Sequence, residues 1–172
     1  MYKFILASKS PRRKELLHNI GYEFEVMESD FDESAVSKEL EPQLYVQELA
    51  MFKAMSLVKK VPADTLIIGA DTVVVHNGSI LGKPADRDEA IQMLSSLSND
   101  VHRVYTGVCV VRSNDAKCVA AFEKTSVYLR MCRKVKLSIM LTNIRPTTKP
   151  VHTAYRSMQG CLYHALTGII SI

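Results

Sequence analysis

Two short stretches hold the residue types best suited to chemistry. In Ser8-Lys9-Ser10-Pro11-Arg12-Arg13-Lys14, two hydroxyls and four cations crowd what reads as a strand-to-helix junction. A helix N-terminus offers free N–H groups and the positive end of its dipole, which suit phosphate oxygens, and Arg can grip a phosphate in two places at once. The competing explanation is a capped helix with a solvated basic first turn. Cations there oppose the dipole, however, and a helix built for stability alone should avoid them. No GxxxxGK[ST] is present, which excludes a P-loop. The second stretch is Gly69-Ala70-Asp71-Thr72, where Asp71 interrupts an otherwise apolar strand. A carboxylate in that setting carries a burial penalty unless it is paired, hydrogen-bonded or metal-bound. Gly69 points to a bulge or a close approach of backbone and ligand. The alternative is a strand that ends at Asp71, with its side chain capping local backbone.

An oxygen-rich acidic site suits Mg²⁺ or Mn²⁺ better than zinc, and Glu33 and Asp32 are the further acids available, otherwise a solvated loop. Lys53 and Lys83, the latter in Leu81-Gly82-Lys83-Pro84, are candidate phosphate partners, with surface lysines as the alternative. The five histidines show no HxxxH or HExxH spacing, and His102 reads as structural. The four cysteines are scattered without a CxxC, which argues against a zinc site, and no GxSxG-type nucleophile motif occurs.

The elements that must position these groups follow from local pattern. Lys3–Ala7 is a short buried strand, and Ser10 followed by Pro11 starts a helix with Leu16, Leu17 and Ile20 as its apolar side and Gly21 as its stop. Glu23–Val26 alternates as a strand, residues 27–42 form an acidic loop, and Glu41-Pro42 opens a helix with Leu44, Val46, Leu49, Ala50 and Val58 near helical spacing. Thr65–Val75 is the strongest strand, interrupted at Gly69-Ala70-Asp71. Asn77-Gly78 is a two-residue hairpin turn returning through Ser79-Ile80-Leu81. Asp86 and Glu89 form a capping box for a helix through Leu97, and His102–Val111 and Cys118–Leu129 are strands around a turn at Asn114-Asp115. Strands interleaved with helices predict an α/β fold with a mixed, twisted sheet and flanking helices.

Composition bounds the class. The 172 residues are 47% apolar and 23% charged, ordinary for a globular chain, and no run reaches the ~18 apolar residues of a membrane span. The start has no signal-peptide pattern and the unpaired cysteines read as reduced, so a cytoplasmic protein without membrane contact is expected. Charge divides unevenly. The first 130 residues hold 16 Lys and Arg against 18 Asp and Glu, whereas the last 42 hold six cations and no acid. Average composition predicts about four acids in such a tail. A basic nucleic-acid patch is one explanation.

ILASKSPRRKELL, Glu33 in its acidic loop, LAMFKA around Lys53, IIGADTVVV, LGKP and HRVYTGV occur in this order over residues 3–130. Together they resemble the Maf family of nucleoside triphosphate pyrophosphatases. The resemblance implies a Maf/ITPase-like fold with a central cleft between two lobes, a divalent metal (Mg²⁺ or Mn²⁺), and hydrolysis of a nucleoside triphosphate to monophosphate and pyrophosphate. It implies Asp71 as the active-site acid, Glu33 toward the metal, and Ser8, Arg12, Arg13, Lys53, Thr72 and Lys83 toward substrate. Arg12 and Thr72 match positions tied to choice of dTTP or UTP. A homodimer follows from family likeness alone, and nucleic acid is not an expected partner. A non-catalytic nucleotide- or partner-binding protein that affects septum formation is the alternative from another class.

The expected domain is 1–130, followed by an aberrant basic tail, 131–172. Permitted codons for residues 147–158 (TTKPVHTAYRSM), read from the third base, spell DKAGAYGIQEH, which resembles a missing family block. The tail therefore reads as out-of-frame translation, through a real frameshift or a sequencing error near Arg130, which accounts for its lack of acids. An incomplete site, impaired activity and an exposed apolar face are the expected consequences.

Overall fold

Lys3–Leu6 forms β1, two residues of which are fully buried. In this computed structural model the described residues are 2–130; the expectations for the basic tail and its reading frame lie outside them. Helix α1 (Pro11–Asn19) follows β1 and ends where Gly21, at φ 81°, donates its N–H to the His18 carbonyl. The expected Ser10 side-chain cap is absent: Ser10 is extended and its own N–H donates to Ser8 Oγ at 3.2 Å. The expected apolar side is absent as well. No residue of α1 is buried, and Leu16 and Ile20 are exposed. The mean polarity of PRRKELLHN leaves too little apolar surface to dock the helix along its length.

β2 is only Glu25–Val26, parallel to β1, shorter than the alternating pattern implied. The acidic loop contains a 3-10 turn at Glu33–Ala35, capped by Asp32, whose carboxylate accepts the Ser34 N–H at 3.0 Å. Helix α2 (Pro42–Met55) buries Val46, Leu49, Ala50 and Ala54, with Tyr45 in place of the expected Leu44, which is exposed. Val58 falls in a separate 3-10 turn, Val58–Lys60.

β3 (Thr65–His76) is continuous, so the expected interruption at Gly69-Ala70-Asp71 does not occur. Gly69 marks a close approach instead, and the approaching backbone is that of α2: a Cβ at Gly69 would run into the Ala50 carbonyl oxygen. Gly107, on β5 (Asp100–Arg112), likewise faces the Val46 carbonyl. Two glycines thus let α2 lie against the sheet, where Ala50, Ala54 and Leu57 pack with Ile5, Ile67, Cys109 and Val111. Asn77 and Gly78 both take positive φ and return the chain into β4 (Ser79–Leu81), antiparallel to β3. Helix α3 (Arg87–Leu97) starts at Asp86, which accepts the Glu89 N–H at 2.8 Å, while Glu89 accepts from Ala85. β6 (Cys118–Leu129) pairs with β5 after the predicted turn and is exposed along most of its length.

The fold is mixed α/β: one six-stranded sheet in the order β2-β1-β3-β5-β6, with β4 beside β3. The described residues form two compact units, 2–73 with 105–124, and 74–104 with 125–130. The first contains α1, α2 and the core above. The second contains β4 and α3, with Val74 and Val127 buried against Leu81 and Val104. No helix among the described residues is long and apolar enough to cross a membrane. Cys109, buried, and Cys118, exposed, are free thiols.

Candidate active site

β1 and β3 run parallel with Leu6 beside Ile68, and the Ala7 N–H donates to the Ile68 carbonyl at 2.8 Å. The chain leaving β1 therefore delivers Ser8 and the mouth of α1 next to the part of β3 that carries Asp71. Alternation along a strand then sorts the side chains. Ile67, Gly69 and Asp71 face α2, and Thr72 takes the opposite face, where its Oγ1 lies 3.1 Å from Thr106 Oγ1 on β5.

On the α2 side, Lys53 Nζ sits 2.5 Å from Asp71 Oδ1 and 2.8 Å from Glu33 Oε1. Lys53 and Asp71 are each only 9% exposed, so the two charges are removed from water together and each offsets the burial cost of the other. Glu33 reaches the same ammonium from the loop side and is half exposed. Burial pushes the Asp71 carboxyl above the ordinary carboxylate range; Lys53 and then Arg13 pull it back, and the Glu33 charge raises it further. The Arg13 charge is thus felt at Asp71, and Arg13 also donates from Nη1 to the buried Ser8 Oγ at 3.2 Å. Through Arg13, the basic first turn of α1 lies within electrostatic reach of the acid of the central strand.

Ser8, Arg13, Glu33, Lys53 and Asp71 are accordingly brought together. Arg12 lies beside Arg13 in the first turn of α1, partly buried. Thr72 is one residue from Asp71 but on the other face of β3. Lys83 is exposed just beyond β4, in the second unit. Asp32 caps its turn, and that explains its carboxylate without a ligand role. His102 is buried in β5, in keeping with a structural part.

Two features have no counterpart in the motif reading. Tyr45 is buried on α2, eight residues before Lys53, and its hydroxyl is pushed up by burial and then by the charges of Asp71 and Glu33. The spacing Tyr45, Leu49, Lys53 on one helical side was the available signal. Phe31 stacks on Phe52, ring centroids 5.1 Å apart and planes at 19°. That contact joins a loop to a helix, and no local pattern announces it.

Among the described residues, no group of three or more His, Cys, Asp or Glu is arranged to hold a metal ion. Mg²⁺, however, is commonly held by one or two carboxylates with substrate phosphates completing its shell. Glu33 and Asp71, converging on one cation already, fit that donor set.

The sequence matches the Maf family, described as Maf-like protein, over residues 3–162. The dTTP/UTP pyrophosphatase of Thermoanaerobacter sp. (strain X514) is 52% identical over 128 residues, covering 74% of this chain and 66% of that protein. That of Clostridium perfringens (strain SM101 / Type A) is 43% identical over 166 residues, covering 96% and 86%. The chain thus spans just under two thirds of the Thermoanaerobacter protein. The family match and the Clostridium alignment both run past Arg130, where the motif pattern has the resemblance end. Among solved structures, a HAM1 protein from Coxiella burnetii superposes with a TM-score of 0.49 at 14% identity, over 74% of this chain and 73% of that one.

Proposed function

The chain belongs to the Maf family, and from that premise we propose that it hydrolyses a nucleoside triphosphate of the dTTP or UTP type to the monophosphate and pyrophosphate. The observation that carries this reading is the Lys53 ammonium held between Asp71 and Glu33, with Arg13 close enough to act on Asp71. The basic first turn of α1 receives the phosphate chain. Water attacks the α-phosphorus and Asp71 takes its proton. The bond from that phosphorus to the oxygen bridging to the β-phosphate breaks, and its electron pair leaves with pyrophosphate. Arg12 and Arg13 offset the charge that develops there. An acid raised by burial is a better base than an exposed carboxylate, and Lys53 keeps it ionised until it is used.

Glu33 and Asp71 are the residues that would hold Mg²⁺ or Mn²⁺, whose contribution when bound is neutralisation of phosphate charge. Arg12 and Thr72 are assigned the choice of base by resemblance, supported by the relatives' being dTTP/UTP pyrophosphatases. Those relatives favour turnover over a non-catalytic binding role. A cytoplasmic setting fits the free thiols Cys109 and Cys118. The segment 131–172 remains an out-of-frame tail in this proposal on the strength of its missing acids, and gene sequencing across codon 130 tests it.

Incubation with a panel of nucleoside triphosphates and Mg²⁺ or Mn²⁺ tests the activity. The expected products are pyrophosphate and monophosphate, with dTTP and UTP turned over ahead of the purine triphosphates. Stepwise release of inorganic phosphate, or no turnover of any triphosphate, overturns it.

A further inference from the structure

We propose that residues 29–33 form a brace docked on α2, and that Phe31 is a positioning residue that holds the Glu33 carboxylate against Lys53. The inference rests on the function proposed above for Glu33 and Lys53.

Four contacts tie this short segment to α2 and the turns that follow it. Ser29 Oγ lies 3.0 Å from Ser56 Oγ. Lys60 Nζ donates to Asp30 Oδ2 at 2.6 Å. Phe31 stacks on Phe52, and Glu33 Oε1 meets Lys53 Nζ at 2.8 Å. The backbone is held on both sides of Glu33: the Phe31 N–H donates to Ser29 Oγ at 3.2 Å, and Asp32 caps the turn that begins at Glu33.

The contacts differ in what they can hold. Lys60–Asp30 is an exposed ion pair, and Glu33 is itself half exposed, so these charged contacts are weak and screened by salt. The two hydroxyls are small and form one bond. An offset aromatic stack resists both salt and water. Phe31 is thus the principal anchor of the brace, and Phe52, adjacent to Lys53 on α2, is its seat. Phe52 stands 37% exposed, outside the buried cluster of Ile5, Ala50, Ala54 and Ile67. Truncating Phe31 therefore loosens the brace while leaving that core in place.

The test is a double-mutant cycle on pyrophosphate release, using Phe31→Ala and Glu33→Gln, together with hydrogen exchange over residues 29–36. Phe31→Ala is expected to lower kcat between about 10- and 100-fold with a smaller change in KM, the scale of misplacing a group at a reacting centre. Phe31→Tyr, which keeps the stack, is expected to restore most of the rate. In the Glu33→Gln background the Phe31→Ala loss is expected to shrink to less than threefold, because the group it positions is gone. Exchange at Ser34 and Ala35 is expected to quicken in Phe31→Ala. Equal losses from Phe31→Ala in both backgrounds, or an unaltered kcat, overturn the proposal. Unchanged exchange overturns the brace itself. Quickened exchange in a protein that turns over no triphosphate supports the brace and overturns only the proposed function.

Discussion

Each of the two units buries a polar cluster, and the clusters solve the same problem in opposite ways. In the first, Lys53 and Asp71 form an ion pair, both nearly removed from water and 2.5 Å apart, with Glu33 as a second acid on the same nitrogen. In the second, His76 Nε2 lies 3.0 Å from Asp100 Oδ2, while neither ring nitrogen of the buried His102 meets a hydrogen-bond partner among the described residues. Burial penalises charge in both places. It raises the Asp71 carboxyl, which Lys53 and Arg13 nonetheless hold partly in check, and it lowers the His102 imidazole, helped by His76 and opposed by Asp100. A buried group can be kept charged by a partner at contact distance or kept neutral by having none. The first arrangement leaves a base primed to accept a proton; the second leaves an imidazole that resists one.

The comparison breaks most visibly at Asp71. Asp71→Asn removes the proposed proton acceptor but keeps the shape, and pyrophosphate release is expected to fall by about 10²- to 10⁴-fold, the usual range for a general base. In the wild type the rate is expected to decline as pH falls through the raised Asp71 pKa, with the decline setting in above the ordinary 3.8; the Asn variant should lack that limb. A variant that keeps the wild-type rate would remove Asp71 from the chemistry.

Lys53→Met probes the other half of the pair. It leaves the Asp71 carboxylate buried without its closest cation, at a cost of about 3–5 kcal/mol in urea unfolding at neutral pH. Because the stranded acid can escape by binding a proton, the deficit should narrow as pH falls. A deficit independent of pH would mean that the two groups are not coupled as their distance implies.

The smallest effect is expected in the second unit. The folded His102 pKa lies below its ordinary 6.5, so the unfolded chain binds the proton more readily. Stability should be fully present above that value and decline as pH falls toward the folded pKa, by at most about 1.4 kcal/mol per pH unit. His102→Phe should flatten the slope between pH 7 and 5.5. An unaltered slope would show that the acid sensitivity arises elsewhere.

Much of the scaffold was legible because its signals are local. Asn77-Gly78 announced a turn needing positive φ twice, Asp86 announced a cap three residues before Glu89, and Cys118–Leu129 forms a strand over the predicted span. Where local signals failed, a distant neighbour had intervened. Gly69 looked like a break in β3 and proved to be the place where α2 presses its backbone against the sheet. Leu44, expected on the apolar side, is exposed and Tyr45 is buried, because the packing of α2 selects the buried side.

The amino-acid sequence by itself determined the types of element, the cations at the start of α1 and the buried acid of β3, since propensity, capping and alternation act within a few residues. Only the tertiary structure decided that Arg13 comes within electrostatic reach of Asp71, that Thr72 meets Thr106, and that Glu33 closes on Lys53. Those facts depend on the register of β1 against β3, on the glycine-permitted approach of α2, and on an ion pair between residues 18 apart along the chain. Side-chain charges interact over ångströms of space, and the distance between residues in space is set by packing, which no local pattern contains.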